Sequence, residues 1–65
     1  MNTAEKVNEA RIELQMSKYE FAEALNLGKS TIYRWEAGQA KPRINHSARI
    51  AALTGKPRMY YHEDD

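Results

Sequence analysis

The sequence predicts an all-α fold, a compact bundle of four or five short helices. Three observations predict it. Two polar caps each meet a glutamate three residues on, Asn2 with Glu5 and Ser17 with Glu20, a pairing that closes the first turn of a helix. Apolar residues recur three and four apart and do not alternate as in a strand. Breaker residues at Asn26, Gly38 and Gly55 cut the chain into pieces of two to three turns.

The first helix starts after Asn2 and runs to about Leu14. Val7, Ala10, Arg11 and Leu14 share its inner face, while Glu5, Asn8, Glu9 and Glu13 fall elsewhere. The second starts after Ser17, with Met16 and Phe21 placed to staple its entry. Phe21, Ala22 and Leu25 form its buried stripe, and Asn26, which tolerates the left-handed conformation, ends it. A third helix follows from Lys29 or Ser30 to Ala37 and stops at Gly38. Ile32, Trp35 and Glu36 point inward from it, and Lys29, Ser30, Tyr33, Arg34 and Ala37 face solvent. The loop Gln39-Ala40-Lys41-Pro42 leads into a fourth helix from about Arg43 to Leu53. Its apolar positions are Ile44, Ala48 and Ala51, with Ile50 as a further candidate. Thr54-Gly55-Lys56-Pro57 stops it, and Met59-Tyr60-Tyr61 reads either as a short strand or as part of a loose tail.

At 65 residues the chain holds one core. A domain of this size buries only about 60% of the surface its unfolded chain exposes, so its stability is marginal. There is no cysteine to supply a disulfide or a thiolate zinc site, which leaves helix packing or a second subunit to hold the fold. No apolar run approaches the roughly 20 residues that span a bilayer, and the start Met1-Asn2-Thr3-Ala4-Glu5-Lys6 is too polar for a signal peptide. A cytoplasmic setting and no membrane partner are expected.

The net charge of +1 conceals an uneven distribution. Both ends are acidic. Residues 17–58 set Lys18, Lys29, Arg34, Lys41, Arg43, Arg49, Lys56 and Arg58 against Glu20, Glu23 and Glu36. A basic middle is either an ordinary solvated surface or the footprint of a nucleic acid.

A two-turn helix, a tight turn at residues 26–28 and a helix exposing Lys29, Ser30, Tyr33 and Arg34 describe a helix-turn-helix. Ala22 is small where the two helices cross, and Ile32 fills the angle between them. Helical pairs of this kind serve DNA binding in some proteins and protein packing in others.

The run from Val7 to Leu53 resembles the lambdoid phage repressors and Cro proteins. Arg11, Ala22, Ile32, Glu36, Gly38, Lys41 and Pro42 match that family's ordered pattern. Lys18 stands where Gln is usual, Asn26 stands where Gly is usual, and Lys56 to Tyr61 replace the usual fifth helix. The resemblance implies a lambda-repressor-like domain over residues 1–55, with residues 56–65 as a tail and candidate dimerisation segment. It implies a double-stranded DNA operator, a homodimer, and a transcriptional regulator of repressor or autorepressor type from a phage or mobile element.

Carried over by position, Lys29, Ser30, Tyr33 and Arg34 are the base-reading row. Arg34 is the sharpest member, because a guanidinium can donate twice to the O6 and N7 edge of guanine; the plain alternative is a solvated arginine beside a glutamate. Ser17, Lys18, Thr31, Lys41, Arg43 and Asn45 match phosphate contacts, most of them at helix starts, where backbone N–H groups favour anions. Arg11 and Glu36 match a structural ion pair joining the first helix to the end of the third.

Trp35 is in register with Ile32, which favours the core over base stacking. Tyr60 and Tyr61 fit dimer contacts, a stacking pair or a disordered end, with the first preferred. An enzyme would need a convergent nucleophile, base and oxyanion donors or a metal site. None is visible, His46 and His62 lack ligand spacing, and no cofactor is called for. The rival reading is an interaction module, such as an antitoxin or phage adaptor, that binds a protein partner through the tail from Met59 to Asp65.

Overall fold

The computed structural model describes residues 1–62. The acidic end Glu63-Asp64-Asp65, counted above as part of the tail and of a candidate protein contact, lies outside the described residues. Among the described residues there are four helices and no strand: α1 (Thr3–Glu13), α2 (Lys18–Ala24), α3 (Lys29–Glu36) and α4 (Ile44–Thr54). The all-α expectation holds.

Local chemistry explains the boundaries. Asn2 and Ser17 each accept from the backbone of the glutamate three residues on, and Glu5 and Glu20 each reach back to the cap N–H. At the other end every helix closes through one left-handed residue: Gln15 at φ 59°, Asn26 at 60°, Gly38 at 77° and Gly55 at 72°. The amide after each donates back into the last turn, Met16 to Arg11, Leu27 to Ala22, Gln39 to Arg34 and Lys56 to Ala51, at 2.8 to 3.1 Å. These bonds satisfy carbonyls that a helix end would otherwise orphan. Asn26, Gly38 and Gly55 are expected at such positions, whereas Gln15 is not. Its strain is offset by the two turn-closing bonds, Gln15 to Ile12 at 2.9 Å and Met16 to Arg11 at 3.1 Å.

The core joins Val7 and Ala10 of α1, Phe21, Ala22 and Leu25 of α2, Ile32 and Trp35 of α3, and Ile50 and Ala51 of α4. Met16 and Leu27 pack against its edge. On α4 the buried stripe differs from the expected one. Ile50 is fully buried with Ser47 and Ala51, which puts Ala48 on the flank, while Ile44, the first residue of the helix, is 42% exposed although it is in register with Ala51. Ser47 tolerates complete burial because its hydroxyl donates to the Ile44 carbonyl at 3.0 Å.

Among the described residues, the segment after α4 is neither a strand, a loose tail nor a fifth helix. Residues 58–62 form successive turns, in which the Tyr60 amide donates to Pro57 and the His62 amide to Met59, both at 3.0 Å. Tyr61, 1% exposed, is the bulkiest fully buried side chain. Its hydroxyl hydrogen-bonds with Thr54 Oγ1 at 3.0 Å, so the ring is buried without stranding its polar end. Placed there, Tyr61 has no face to offer a partner subunit or a base, contrary to the dimer and stacking readings. Tyr60 remains half-buried and meets Tyr61 edge to face. Lys6 of α1 donates to the Tyr60 carbonyl at 3.3 Å and lies 4.6 Å from its ring centroid, tying the segment to the first helix.

Candidate nucleic-acid interface

The motif is held from behind by Glu36. Its carboxylate is 7% exposed and receives Arg11 Nε on Oε2 at 2.7 Å, Asn8 Nδ2 on Oε1 at 2.7 Å and Arg11 Nη2 on Oε1 at 3.4 Å. Lys18 Nζ stands 3.4 Å from Oε1. Burial pushes this carboxyl up. The hydrogen bonds from Arg11 and Asn8, with the charges of Arg11 and Lys18, outweigh burial and hold it below its ordinary value. Arg11 also donates from Nη1 to the Met16 carbonyl at 2.9 Å. One guanidinium therefore joins α1, the α1–α2 turn and the end of α3. Asn8, placed away from the inner face in the sequence reading, is half-buried. It sits one turn before Arg11, and that spacing was the available sign that it shares Arg11's partner.

In front of this anchor the four expected reading residues, Lys29, Ser30, Tyr33 and Arg34, are all exposed on α3. Their i, i+1, i+4, i+5 spacing puts them on one face, opposite the buried Ile32 and Trp35. Gly28 supplies no side-chain cap, which leaves the first-turn amides of α3 unclaimed by a cap.

The expected phosphate contacts fall into three groups. Thr31, Lys41 and Arg43 line one cleft of about 300 Å³ together with the expected base-reading residue Arg34 and with Trp35, Ala40 and His46. The start of α4 opens beside it, with Arg43 at the cap position and no side-chain cap bond, and Asn45 is exposed in the same turn. Ser17 is exposed, and its hydroxyl oxygen already caps α2. Lys18 is set apart from both, 5.0 Å from the Tyr33 ring centroid, with Lys29 on the same ring at 6.0 Å.

His46 was weighed in sequence only as a metal ligand. Its ring lies 5.9 Å from that of Trp35, and nothing in its neighbours in the chain announces the cleft. No acidic residue occurs from Ala37 to His62, so the cleft and the whole exposed surface of α4 are free of carboxylates. Among the described residues no three His, Asp or Glu side chains are grouped to hold a metal ion, and no helix is long and apolar enough to cross a membrane.

Two packed helices joined by the four residues Leu25 to Gly28, the second of them presenting four polar side chains, define a helix-turn-helix domain. A family model described as helix-turn-helix matches residues 7–60, and the chain belongs to that family, in its phage repressor and Cro type. The family is one of DNA-binding regulatory domains, generally without enzymatic activity. Comparisons with curated proteins and with solved structures returned no match.

Proposed function

We propose that this protein is a sequence-specific transcriptional regulator, a repressor or autorepressor of the kind encoded by phages and mobile elements, acting as a homodimer in the bacterial cytoplasm. The observation that carries the reading is the exposed row Lys29, Ser30, Tyr33 and Arg34 on a helix anchored from behind by Arg11 and Glu36. In a major groove about 12 Å wide this helix enters with its polar face toward the base edges. Arg34 grips a guanine there, while Lys29, Ser30 and Tyr33 contact the bases on either side. Thr31, Lys41, Arg43 and Asn45, with Ser17 at the start of α2, hold the sugar-phosphate backbone, and the open amides at the start of α4 add to their pull.

Selection from a random duplex pool followed by footprinting tests this reading. The expected result is one recovered motif with approximate two-fold symmetry. Binding that does not discriminate the recovered duplex from a base-scrambled copy would reject it.

A further inference from the structure

We infer that Lys18 is a positioning residue for Tyr33, setting the pose of that ring on the reading face instead of contacting the DNA backbone. The inference rests on the DNA-reading role proposed above.

Lys18 opens α2, yet its ammonium crosses the motif to α3. There it stands 3.4 Å from Glu36 Oε1 and 5.0 Å from the centroid of the Tyr33 ring. Tyr33 and Glu36 are three residues apart on α3, so one cation spans both. Glu36 is satisfied without it, through Arg11 on Oε2 at 2.7 Å and Asn8 on Oε1 at 2.7 Å. Lys18 adds only its charge to a carboxylate that already has its hydrogen-bond donors, whereas at Tyr33 it is the nearer of two cations on the ring.

Tyr33 is 52% exposed in the middle of the reading row, with little packing to choose among its rotamers. An ammonium tethered by Glu36 over the π face, with Lys29 6.0 Å from the same centroid, favours one orientation of the ring and so one place for its hydroxyl. The Lys18 side chain is only 29% exposed. It lies folded against the protein where a backbone-contacting lysine would extend.

The test uses Lys18→Met, which keeps the stem and loses the charge, Tyr33→Leu, and the double variant. Affinity is measured against the selected duplex and its base-scrambled copy at several salt concentrations. Lys18→Met is expected to weaken the selected duplex about 2- to 5-fold, the equivalent of an exposed cation–π contact, and to leave the scrambled duplex and the salt slope unchanged. The double variant should discriminate no worse than Tyr33→Leu alone, and Lys18→Arg should restore the preference. Equal losses on both duplexes, with a salt slope shallower by about one, would mark a phosphate contact and overturn the inference.

A measurement without DNA separates this inference from the functional reading. The ε-methylene protons of Lys18 should be shifted upfield in the NMR spectrum by the Tyr33 ring current, and the shift should vanish in Tyr33→Leu. If that shift is missing, the inference falls whatever the protein does with DNA. If it is present but the wild type does not discriminate between duplexes, the DNA-reading role fails and the positioning role fails with it.

Discussion

Arg11 donates from Nε to Glu36 Oε2 at 2.7 Å, and the same guanidinium donates from Nη1 to the Met16 carbonyl at 2.9 Å. Arg11→Ala removes both of these bonds and the longer one from Nη2 to Glu36 Oε1, and leaves Glu36, 7% exposed, with only Asn8 and Lys18. Breaking a buried pair costs about 3 to 5 kcal/mol, and the two remaining partners put this case near the lower end. Lys29→Ala, on the exposed face, should stay within about 0.5 kcal/mol. Urea melts of the two variants make the comparison, and equal midpoints would refute the anchoring role.

The lowered Glu36 carboxyl makes a signed statement about acid. A carboxyl whose folded value lies below its unfolded one stabilises the native state above the unfolded value, and that stability is lost as pH falls through the folded value. Wild-type melting temperature should therefore drop as the pH passes below the ordinary carboxylate range. Glu36→Gln should start lower at neutral pH and lose less on the same descent. Parallel curves for the two proteins would exclude Glu36 as a source of the acid sensitivity.

Tyr61 tests whether the C-terminal turns belong to the core. Tyr61→Ala should cost about 3 to 5 kcal/mol, as truncation of a buried aromatic does. Tyr61→Phe, which loses only the bond with Thr54 Oγ1, should cost about 0.5 to 1.5 kcal/mol. Chemical denaturation gives both values, and a Tyr61→Ala protein as stable as the wild type would mean the ring is dispensable.

Reading and holding separate at Arg34 and Lys41, two side chains of one cleft. Arg34→Ala is expected to cost about 1 to 3 kcal/mol on the selected duplex and to relax the preference at one base pair. Lys41→Ala should weaken all duplexes alike and reduce the salt slope by about one. Titrations against selected and scrambled duplexes across salt decide between the roles, and a uniform loss for Arg34→Ala would recast it as a holder.

One short reading helix per chain covers only a few base pairs. Two-fold dimers of this motif place half-sites about 34 Å apart, or a multiple of that distance. Footprints should show that spacing, and sedimentation of the complex should give two chains per duplex. A single chain on an asymmetric site at every concentration would contradict the dimer.

What was legible in the sequence follows the range of the interaction. The capping boxes at Asn2 and Ser17 and the stop at Asn26 depend on residues within a few positions, and each is found where the local chemistry puts it. The exposed row on α3 was equally readable, because helical spacing alone separates it from Ile32 and Trp35. The Arg11–Glu36 pair emerged from resemblance and not from pattern, since its partners are 25 residues apart. Asn8 and His46 were missed because each acquires its role from a helix distant in sequence. Gln15 carries no left-handed preference of its own, and only the bonds around it reveal why it adopts one. Tyr61 was misread for the same reason as Ile44, because an apolar residue near a boundary does not say which side the chain will cover.

The burial of Tyr61 has a consequence for how much of the chain the core requires. Val7, Phe21, Ile32 and Ile50 all precede Tyr61, so a copy cut between Thr54 and Tyr61 has the four helices but an open side to its interior. The closing contact of Lys6 with Tyr60 spans 54 residues and forms only once the residues after α4 are present. A copy cut before Tyr61 thus exposes apolar surface that a chain containing the ring withdraws. The position of one aromatic ring thus decides which lengths of chain can shut their interior away from water.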